Sequence, residues 1–282
     1  MMIQKILFPV DFSPSSTAMG PYVRRAADLF GAEVTLVHVC DLESHNGFEL
    51  YVRSPQEIAE THRVVADDEL RSFLLSEFPG SPRVLRSGEA ASEIAEVANT
   101  GGFDLIVMPT HAARFRRMLL GSTTAKVLND AACPVLTTEH AESVVPRRLE
   151  QRVWVCALSL GPDSERVLRI ASQAAADIQA RLSLVHVIDG PGPVRLSPAG
   201  EMDSDQSKGA FRRLAELQKK VCCEAAVTIA EGPTKGALLE AAQRCSADAL
   251  IIGRTFPSGP VGRMRDLTYG IVRDSPFPVL SV

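Results

Sequence analysis

The sequence predicts an α/β protein made of two tandem doubly wound domains, each built around a five-stranded parallel sheet. Three observations lead to this fold class. The chain has 282 residues, about twice the ~150 residues of an average domain. Its second half repeats the pattern of its first half. In each half, short β-branched or apolar runs alternate with helix-period stretches, an order typical of a parallel sheet covered on both faces.

The internal repeat is visible as matched segments at constant offsets. VTLVHV at 34–39 matches LSLVHV 148 residues later, and FDLIVMP at 103–109 matches ADALIIG 144 residues later. The two offsets persist over more than a hundred residues and are separated by one four-residue change in length. We interpret the pattern as a tandem duplication, which is the usual origin of self-similarity over such a distance.

In the first half, each element has its own local signal. The first strand is a β-branched and apolar run followed by Ser, Pro and Asp, and the first helix begins with residues common at N-caps. The predicted elements are, in order, a strand at 6–10, a helix at 16–30, a strand at 34–39, a helix at about 55–77, a strand at 83–85, a short helix, a strand at 105–108, a short helix and a strand at 135–138.

The second half gives the same order of signals. Its predicted elements are a strand at 153–157, a helix at 164–180, a strand at 182–188, a helix at about 205–220, a strand at 225–229, a short helix, a strand at 249–252, a short helix and a strand at 279–282. We therefore expect domains at residues 1–140 and 151–282. A charged, proline-containing linker at 141–150 joins them.

Composition excludes several classes of protein. The net charge of −4 and the pI near 5.9 argue against a nucleic-acid partner, which needs a basic face. No run of 18 apolar residues is present, so no membrane span is expected. The six cysteines lack paired CxxC spacing, which predicts neither a disulfide framework nor a metal site. The chain begins with a strand pattern instead of a signal peptide, and a cytoplasmic location is expected.

Common catalytic motifs are missing from the sequence. There is no GxSxG, HExxH or GxxxxGK[ST], so nucleophile-elbow hydrolases, zincins and P-loop NTPases have no support. No catalytic residue is predicted. A histidine occupies the same place in both LVHV strands, as His38 and His186. This repetition predicts a structural hydrogen bond beside the carboxyl ends of the strands.

Several of these motifs together resemble the universal stress protein family. The motifs are PVDFS after the first strand, LVHV in the second, DLIVM in the fourth, and LLGSTTAKVL before CPVL. The resemblance covers almost all of residues 1–138 and, more weakly, 152–282, so the chain resembles the tandem-type members. It implies the adenine nucleotide alpha hydrolase-like fold and intramolecular pairing of the two domains through their last strands; a homodimer of tandem chains stays open.

The resemblance also implies a ligand, which is ATP or another adenine nucleotide, with Mg²⁺ if it is ATP. The ligand would lie in the crevice at the carboxyl ends of the strands. The family pattern G-x2-G-x9-G-[ST] runs from the fourth strand into the last helix. Its glycines let the backbone approach phosphates. The candidate nucleotide-binding positions in the first half are Asp11, Val39, Met108, Pro109, Ala112, Gly121, Ser122 and Thr123.

The first half departs from this family pattern. Pro109 and Ala112 stand where the first two glycines belong, and the segment is one residue short. Only the closing pair Gly121-Ser122 is intact. Proline lacks an N–H donor, which makes it a poor substitute in a phosphate cradle. The remaining candidate phosphate contacts are Arg114, Arg116 and Arg117.

The second half departs further. Gly253 keeps the first glycine, but Phe256 and the pair Arg265-Asp266 replace the others, and Ser159 stands opposite Asp11. An aspartate at the start of the last helix would compete with a bound phosphate for the helix dipole. We expect no ATP in this half.

Structural alternatives to binding stay open in the first half. Asp11 is either an adenosine contact, as the resemblance implies, or a helix N-cap beside Ser13. Gly121-Ser122 either holds phosphate or starts the last helix with Ser122 as its cap. The three arginines form either a phosphate clamp or a solvated loop.

The predicted function is that of a stress-response binding or regulatory protein, not a metabolic enzyme. An adenine-nucleotide site, eroded relative to the family pattern, is expected in the first half. One alternative is a slow ATPase or phosphotransfer enzyme, which needs Mg²⁺ and a positioned acid, and the sequence offers no clear acid after Asp11. The other alternative is an interaction module that binds no nucleotide.

Overall fold

The computed structural model of the chain describes residues 3–40, 54–110, 120–138, 153–198, 204–254 and 262–282. These residues form two compact units. One unit holds residues 3–135 and the other holds the rest, so the division falls within the strand at 135–138. We call residues 3–138 the first repeat and 153–282 the second repeat. The linker predicted at 141–150 lies outside the described residues, and the domain boundaries at 140 and 151 stay predictions.

The first repeat alternates strands and helices as the sequence predicts. Its elements are β1 (Lys5–Pro9), α1 (Pro14–Phe30), β2 (Glu33–Cys40), α2 (Pro55–Ser72), β3 (Arg83–Ser87), α3 (Ala90–Thr100), β4 (Leu105–Pro109), α4 (Ser122–Asp130) and β5 (Val135–Thr138). The strand order is β3-β2-β1-β4-β5. Strand β1 pairs in parallel with β2 and with β4, and β2 pairs in parallel with β3. The doubly wound arrangement is confirmed for this repeat.

The second repeat has the same plan with one addition. Its elements are β6 (Val153–Ala157), α5 (Ser164–Asp177), β7 (Arg181–Asp189), β8 (Arg195–Pro198), α6 (Asp205–Val221), β9 (Ala226–Gly232), α7 (Thr234–Arg244), β10 (Ala249–Ile252), α8 (Gly262–Asp274) and β11 (Val279–Ser281). The strand order is β11-β10-β6-β7-β9-β8. In this order, every neighbouring pair of strands from β11 to β9 is parallel.

Strand β8 corrects the expectation of five parallel strands in this repeat. It pairs antiparallel with β9, with Leu196 opposite Ala230, so the second sheet has six described strands and is mixed. The strand has only four residues and ends in Pro198. A proline is tolerated at a sheet edge because it does not have to donate to a ladder. So short a strand carries too little alternation to be predicted.

The helix ends follow ordinary capping rules. Ser13 caps α1 by accepting a hydrogen bond from the Ser16 N–H, and Gly31 ends that helix with a φ of 65°. Ser54 and Glu57 form a reciprocal capping box at the start of α2. These contacts satisfy N–H groups that a helix leaves without intrahelical partners, which explains why the elements begin and end where they do.

The core of each repeat lies on its central strands. Leu7 in β1 and Val107 in β4 are fully buried, as are Val155 in β6 and Ile251 in β10. Continuous burial along a strand is expected when helices cover both faces of a sheet. The carboxyl ends of these rigid strands therefore provide fixed positions for the loops that follow them.

The duplication extends to unusual backbone conformations. Phe12 and Leu160 stand at equivalent places after β1 and β6, and both have a positive φ, of 60° and 59°. Gly88 and Gly232, before α3 and α7, have φ values of 142° and 136°. Positive φ is uncommon for residues other than glycine. Its recurrence at matched positions shows that the two repeats share their loop geometry as well as their strands.

Among the described residues, no helix is both long enough and apolar enough to cross a membrane.

Candidate functional site

A cleft of about 570 Å³ opens in the first repeat at the carboxyl ends of its strands. Ligands of doubly wound proteins commonly bind in this place, because the loops that follow parallel strands meet there. The lining combines the ends of β1, β2 and β4 with the first turns of α3 and α4. The lining residues are Pro9, Val10, Asp11, Ser16, Val37, His38, Val39, Ala90, Ile94, Met108, Pro109, Leu120, Gly121, Ser122, Thr123 and Thr124.

The structure brings most of the candidate positions together in this cleft. Those that line it are Asp11, Val39, Met108, Pro109, Gly121, Ser122 and Thr123. Four candidates lie outside the described residues, namely Ala112, Arg114, Arg116 and Arg117. The three arginines therefore stay predictions as phosphate contacts.

The carboxylate of Asp11 is held by hydrogen bonds from its own loop. Asp11 Oδ1 accepts one from the Ser13 N–H at 3.1 Å and one from Ser16 Oγ at 2.5 Å. The N-cap of α1 is Ser13, so the interpretation of Asp11 as the cap is wrong. Asp11 is exposed while Ser16 is buried. The loop thus fixes a charged acceptor at the surface of the cleft.

The first turn of α4 brings positive electrostatic character to the cleft, opposite to the negative charge of Asp11. Its N-cap position is Gly121, which offers no side-chain hydrogen bond, and Ser122 is the first helical residue. The expectation that Ser122 caps the helix is therefore wrong. An uncapped N-terminus leaves N–H donors and the positive end of the helix dipole available to an anion. The Gly121 N–H is already used, since it donates to Thr110 O at 3.0 Å.

The sequence reasoning missed several lining residues. Ala90 and Ile94 lie one helical turn apart on α3 and line the cleft together. Their spacing of four residues is the signal that could have identified them, because such residues share one helix face. Thr124 was also missed; its Oγ1 donates to Pro109 O at 3.2 Å and so ties α4 to the end of β4.

The repeated histidines make the predicted structural contact. His38 Nδ1 lies 2.8 Å from Val10 O, and His186 Nδ1 lies 2.7 Å from Leu158 O. Each bond joins the second strand of its repeat to the loop after the first strand. Burial is the main cause that lowers the pKa of His186 from its ordinary value. These contacts confirm the predicted hydrogen bond beside the crevice.

The second repeat has a smaller crevice in the corresponding place, of about 250 Å³. Ser159, which stands opposite Asp11, accepts a hydrogen bond from the Gly161 N–H at 3.3 Å. Gly253 has a packing role, because a Cβ there would lie 2.9 Å from Val167 Cγ2. Phe256 lies outside the described residues.

The last helix of the second repeat corrects one further expectation. Helix α8 begins at Gly262, so Arg265 and Asp266 lie inside the helix and not at its start. The argument that Asp266 competes with a phosphate at the helix start is therefore wrong. Arginine and methionine are better helix formers than the glycine that precedes α4, which accounts for the earlier start.

No group of three or more His, Cys, Asp or Glu side chains that could hold a metal ion occurs within the described ranges.

Two doubly wound repeats in one chain, each with a crevice at the carboxyl ends of its strands, define a tandem α/β protein. The model of the universal stress protein family matches residues 2–138 and again residues 152–282. The chain belongs to the universal stress protein family. The predicted resemblance, the tandem organisation and the α/β fold class are thereby confirmed.

Individual relatives agree with this membership. The chain is 26% identical over 164 residues to universal stress protein MJ0577 of Methanocaldococcus jannaschii, covering 51% of this chain and 99% of the relative. It is 27% identical over 137 residues to universal stress protein A homolog 2 of Coxiella burnetii, covering 47% of this chain and 92% of the relative. A universal stress protein from Archaeoglobus fulgidus has a crystal structure with a TM-score of 0.67 at 22% identity, covering 99% of this chain and 96% of that one. This last likeness concerns the fold of the whole chain.

Proposed function

We propose that the protein is a stress-response binding protein whose first repeat binds an adenine nucleotide, with lower affinity than an intact family motif would give. One observation carries the proposal. A single cleft gathers the fixed carboxylate of Asp11 and the uncapped first turn of α4 that begins at Ser122. Its volume of about 570 Å³ falls within the ~300–1,000 Å³ range of small-molecule sites.

The two ends of the cleft suit the two ends of a nucleotide. Val39 and Met108 offer apolar surface for a base, and Asp11 offers an acceptor for a ribose hydroxyl. The N–H groups of Ser122 and Thr123 lie in the first turn of α4, where an anion is favoured. These assignments match the family positions that the resemblance implies.

The weak affinity follows from missing phosphate donors. Pro109 has no N–H group, and Ala112 replaces the second glycine in a segment that is one residue shorter than the family pattern. Each hydrogen bond to a charged group is worth about 1.5–3 kcal/mol. Losing two therefore lowers affinity by roughly two to four factors of ten. Arg114, Arg116 and Arg117 would restore part of it through charge-assisted bonds.

We further propose that a bound ATP carries Mg²⁺, that the two repeats pair within one chain through their last strands, and that the protein works in the cytoplasm. The paired matches to the family model support the pairing. Further assembly into a homodimer of tandem chains stays open beside this pairing, and the mass of the protein in solution, measured by light scattering, distinguishes one chain from two.

The decisive test of phosphate binding removes one N–H group. Proline is favoured at the first position of a helix, and Gly121, with φ of −56° and ψ of 137°, already has the conformation that a following proline requires. Ser122→Pro should therefore fold normally and lose affinity for AMP by about tenfold, the value of one charge-assisted bond. Ser122→Ala, which keeps the N–H, is the matched control.

Adenosine serves as the reference ligand in the same titrations, because it lacks the phosphate. Its affinity should be equal in Ser122→Pro, Ser122→Ala and wild type. Equal AMP affinity in all three proteins would contradict the assignment of the phosphate to α4. Phosphate release from ATP and Mg²⁺, measured in the same samples, tests the alternative of a slow ATPase.

A further inference from the structure

We propose that the crevice of the second repeat binds a small carboxylic acid with an apolar body. This site is separate from the nucleotide cleft of the first repeat, and the inference goes beyond the proposed function. It depends on the size of the crevice, on one buried hydroxyl group and on one buried arginine.

The size and walls of the crevice select a small, mostly apolar molecule. The volume of about 250 Å³ is below the ~300–1,000 Å³ of sites for larger ligands. At a liquid volume of ~30 Å³ for each water, it suits a molecule of about eight non-hydrogen atoms. The apolar walls include Leu158, Val167, Val185, Leu238 and Ile252.

A buried hydroxyl group lacks the partner that its counterpart has. Ser16 in the first repeat donates to the carboxylate of Asp11. The equivalent serine, Ser164, lines the crevice with only 3% of its surface exposed, and its Oγ has no hydrogen-bond partner. The reason is that Ser159 replaces the aspartate. A ligand carboxylate would supply the acceptor that the sequence has lost.

The charge of the crevice also favours an acid. Arg254 lines it and is 5% exposed, where the first repeat has Thr110. A guanidinium group carries five N–H donors, so it can bind a carboxylate in addition to partners within the chain. Asp163 also lines the crevice, but it is exposed, and water screens its charge more than that of a buried group.

The test is a titration of the full chain with benzoate, which has about the required size, and with benzamide as the neutral analogue. Methyl NMR signals of Leu238 and Ile252 report on the walls. Benzoate should shift both signals and saturate below about 10 mM, at least tenfold more tightly than benzamide. Inorganic phosphate and AMP should leave both signals unchanged.

Variants locate the site. Ala157→Phe fills the crevice from the partly exposed end of β6 and should abolish binding of both probes. Arg254→Gln should weaken benzoate about tenfold and leave benzamide unchanged. Ser164→Ala should weaken benzoate several-fold, while Ser16→Ala in the first repeat is the matched control and should have no effect.

Several results would overturn the proposal. Among them are equal affinity for benzoate and benzamide, saturating shifts caused by phosphate or AMP, and the lack of any shift with benzoate up to about 10 mM. If Arg254→Gln does not fold, Ala157→Phe and Ser164→Ala decide the question. Binding of benzoate that survives Ala157→Phe unchanged also contradicts the site.

Discussion

Ser16 Oγ donates a 2.5 Å hydrogen bond to Asp11 Oδ1, which joins the buried start of α1 to the carboxylate in the cleft of the first repeat. The same hydroxyl position in the second repeat is Ser164, buried and without a partner. One substitution between the repeats, aspartate to serine, thus changes both the charge of a crevice and the hydrogen bonding of a helix start. The two crevices are chemically different despite their common origin.

An aspartate at position 159, equivalent to Asp11, should stabilise the second repeat. Ser159→Asp gives Ser164 an acceptor, and an unsatisfied buried polar group costs about 1–3 kcal/mol. We expect a gain of about 1 kcal/mol in the free energy of unfolding of this repeat. Trp154, the single tryptophan, is buried in β6, so its fluorescence during urea unfolding reports on the second repeat. Ser159→Ala is the control, and an equal gain there would refute the explanation.

The glycine before α7 should not tolerate a side chain. Gly232 has a φ of 136°, and a Cβ there would lie 3.3 Å from Val194 Cα. Gly232→Ala should cost about 1–3 kcal/mol, the value of a strained residue, in urea unfolding followed by Trp154. Gly236→Ala in α7 meets nothing within 4 Å and should stabilise by about 0.5–1 kcal/mol. If Gly232→Ala left the free energy of unfolding unchanged, the loop would be able to adjust to the added Cβ.

Gly253 should prove to be a packing residue. Gly253→Ala places a Cβ 2.9 Å from Val167 Cγ2 and should destabilise the second repeat by about 1–3 kcal/mol. Val167→Ala removes the contacting methyl group, so the double variant should lose less than the two single losses added together. A double-mutant cycle in urea measures this coupling. Simple additivity would mean that the two residues do not meet.

The carboxylate of Asp274 should contribute to the free energy of unfolding, and this contribution should be lost in acid. Hydrogen bonds from Arg273 and the Lys235 ammonium lower its pKa from 3.8 to about 2. Because the folded pKa is below the unfolded one, this stability is present above about pH 4 and is lost as the pH falls towards 2. The ion pair is partly exposed, so we expect at most about 1 kcal/mol. Asp274→Asn should reduce the difference in unfolding free energy between pH 5 and pH 2.5, measured with urea. An unchanged difference would rule this contribution out.

The sequence predicted the positions in the first crevice better than their roles. The resemblance to the family implied Val39 and Met108, and both line the cleft because parallel strands bring their carboxyl ends together. The role of Asp11 could not be chosen, since both Asp11 and Ser13 suit a cap, and only the bonds to Oδ1 separate them. Strand β8 was missed because four residues at a sheet edge depend on pairing with β9 and have little signal of their own.

The start of α8 shows a different limit. Alignment of the two repeats predicted that α8 begins at Arg265, the position opposite Gly121. In the second repeat, the residues around this position are better helix formers than glycine. Local propensity extended the helix to Gly262. A duplicated pattern therefore predicts which elements exist more reliably than where they end.

The central claim is that only the first repeat binds an adenine nucleotide. Calorimetric titration of the full chain with ATP and Mg²⁺ tests it directly, with the double variant Asp11→Ala and Ser122→Pro, and with Ser159→Ala as the matched change in the second repeat. The account predicts one site for each chain, weakened in the double variant and unchanged in Ser159→Ala. The absence of any site, two equivalent sites for each chain, or one site that the double variant leaves intact would contradict it.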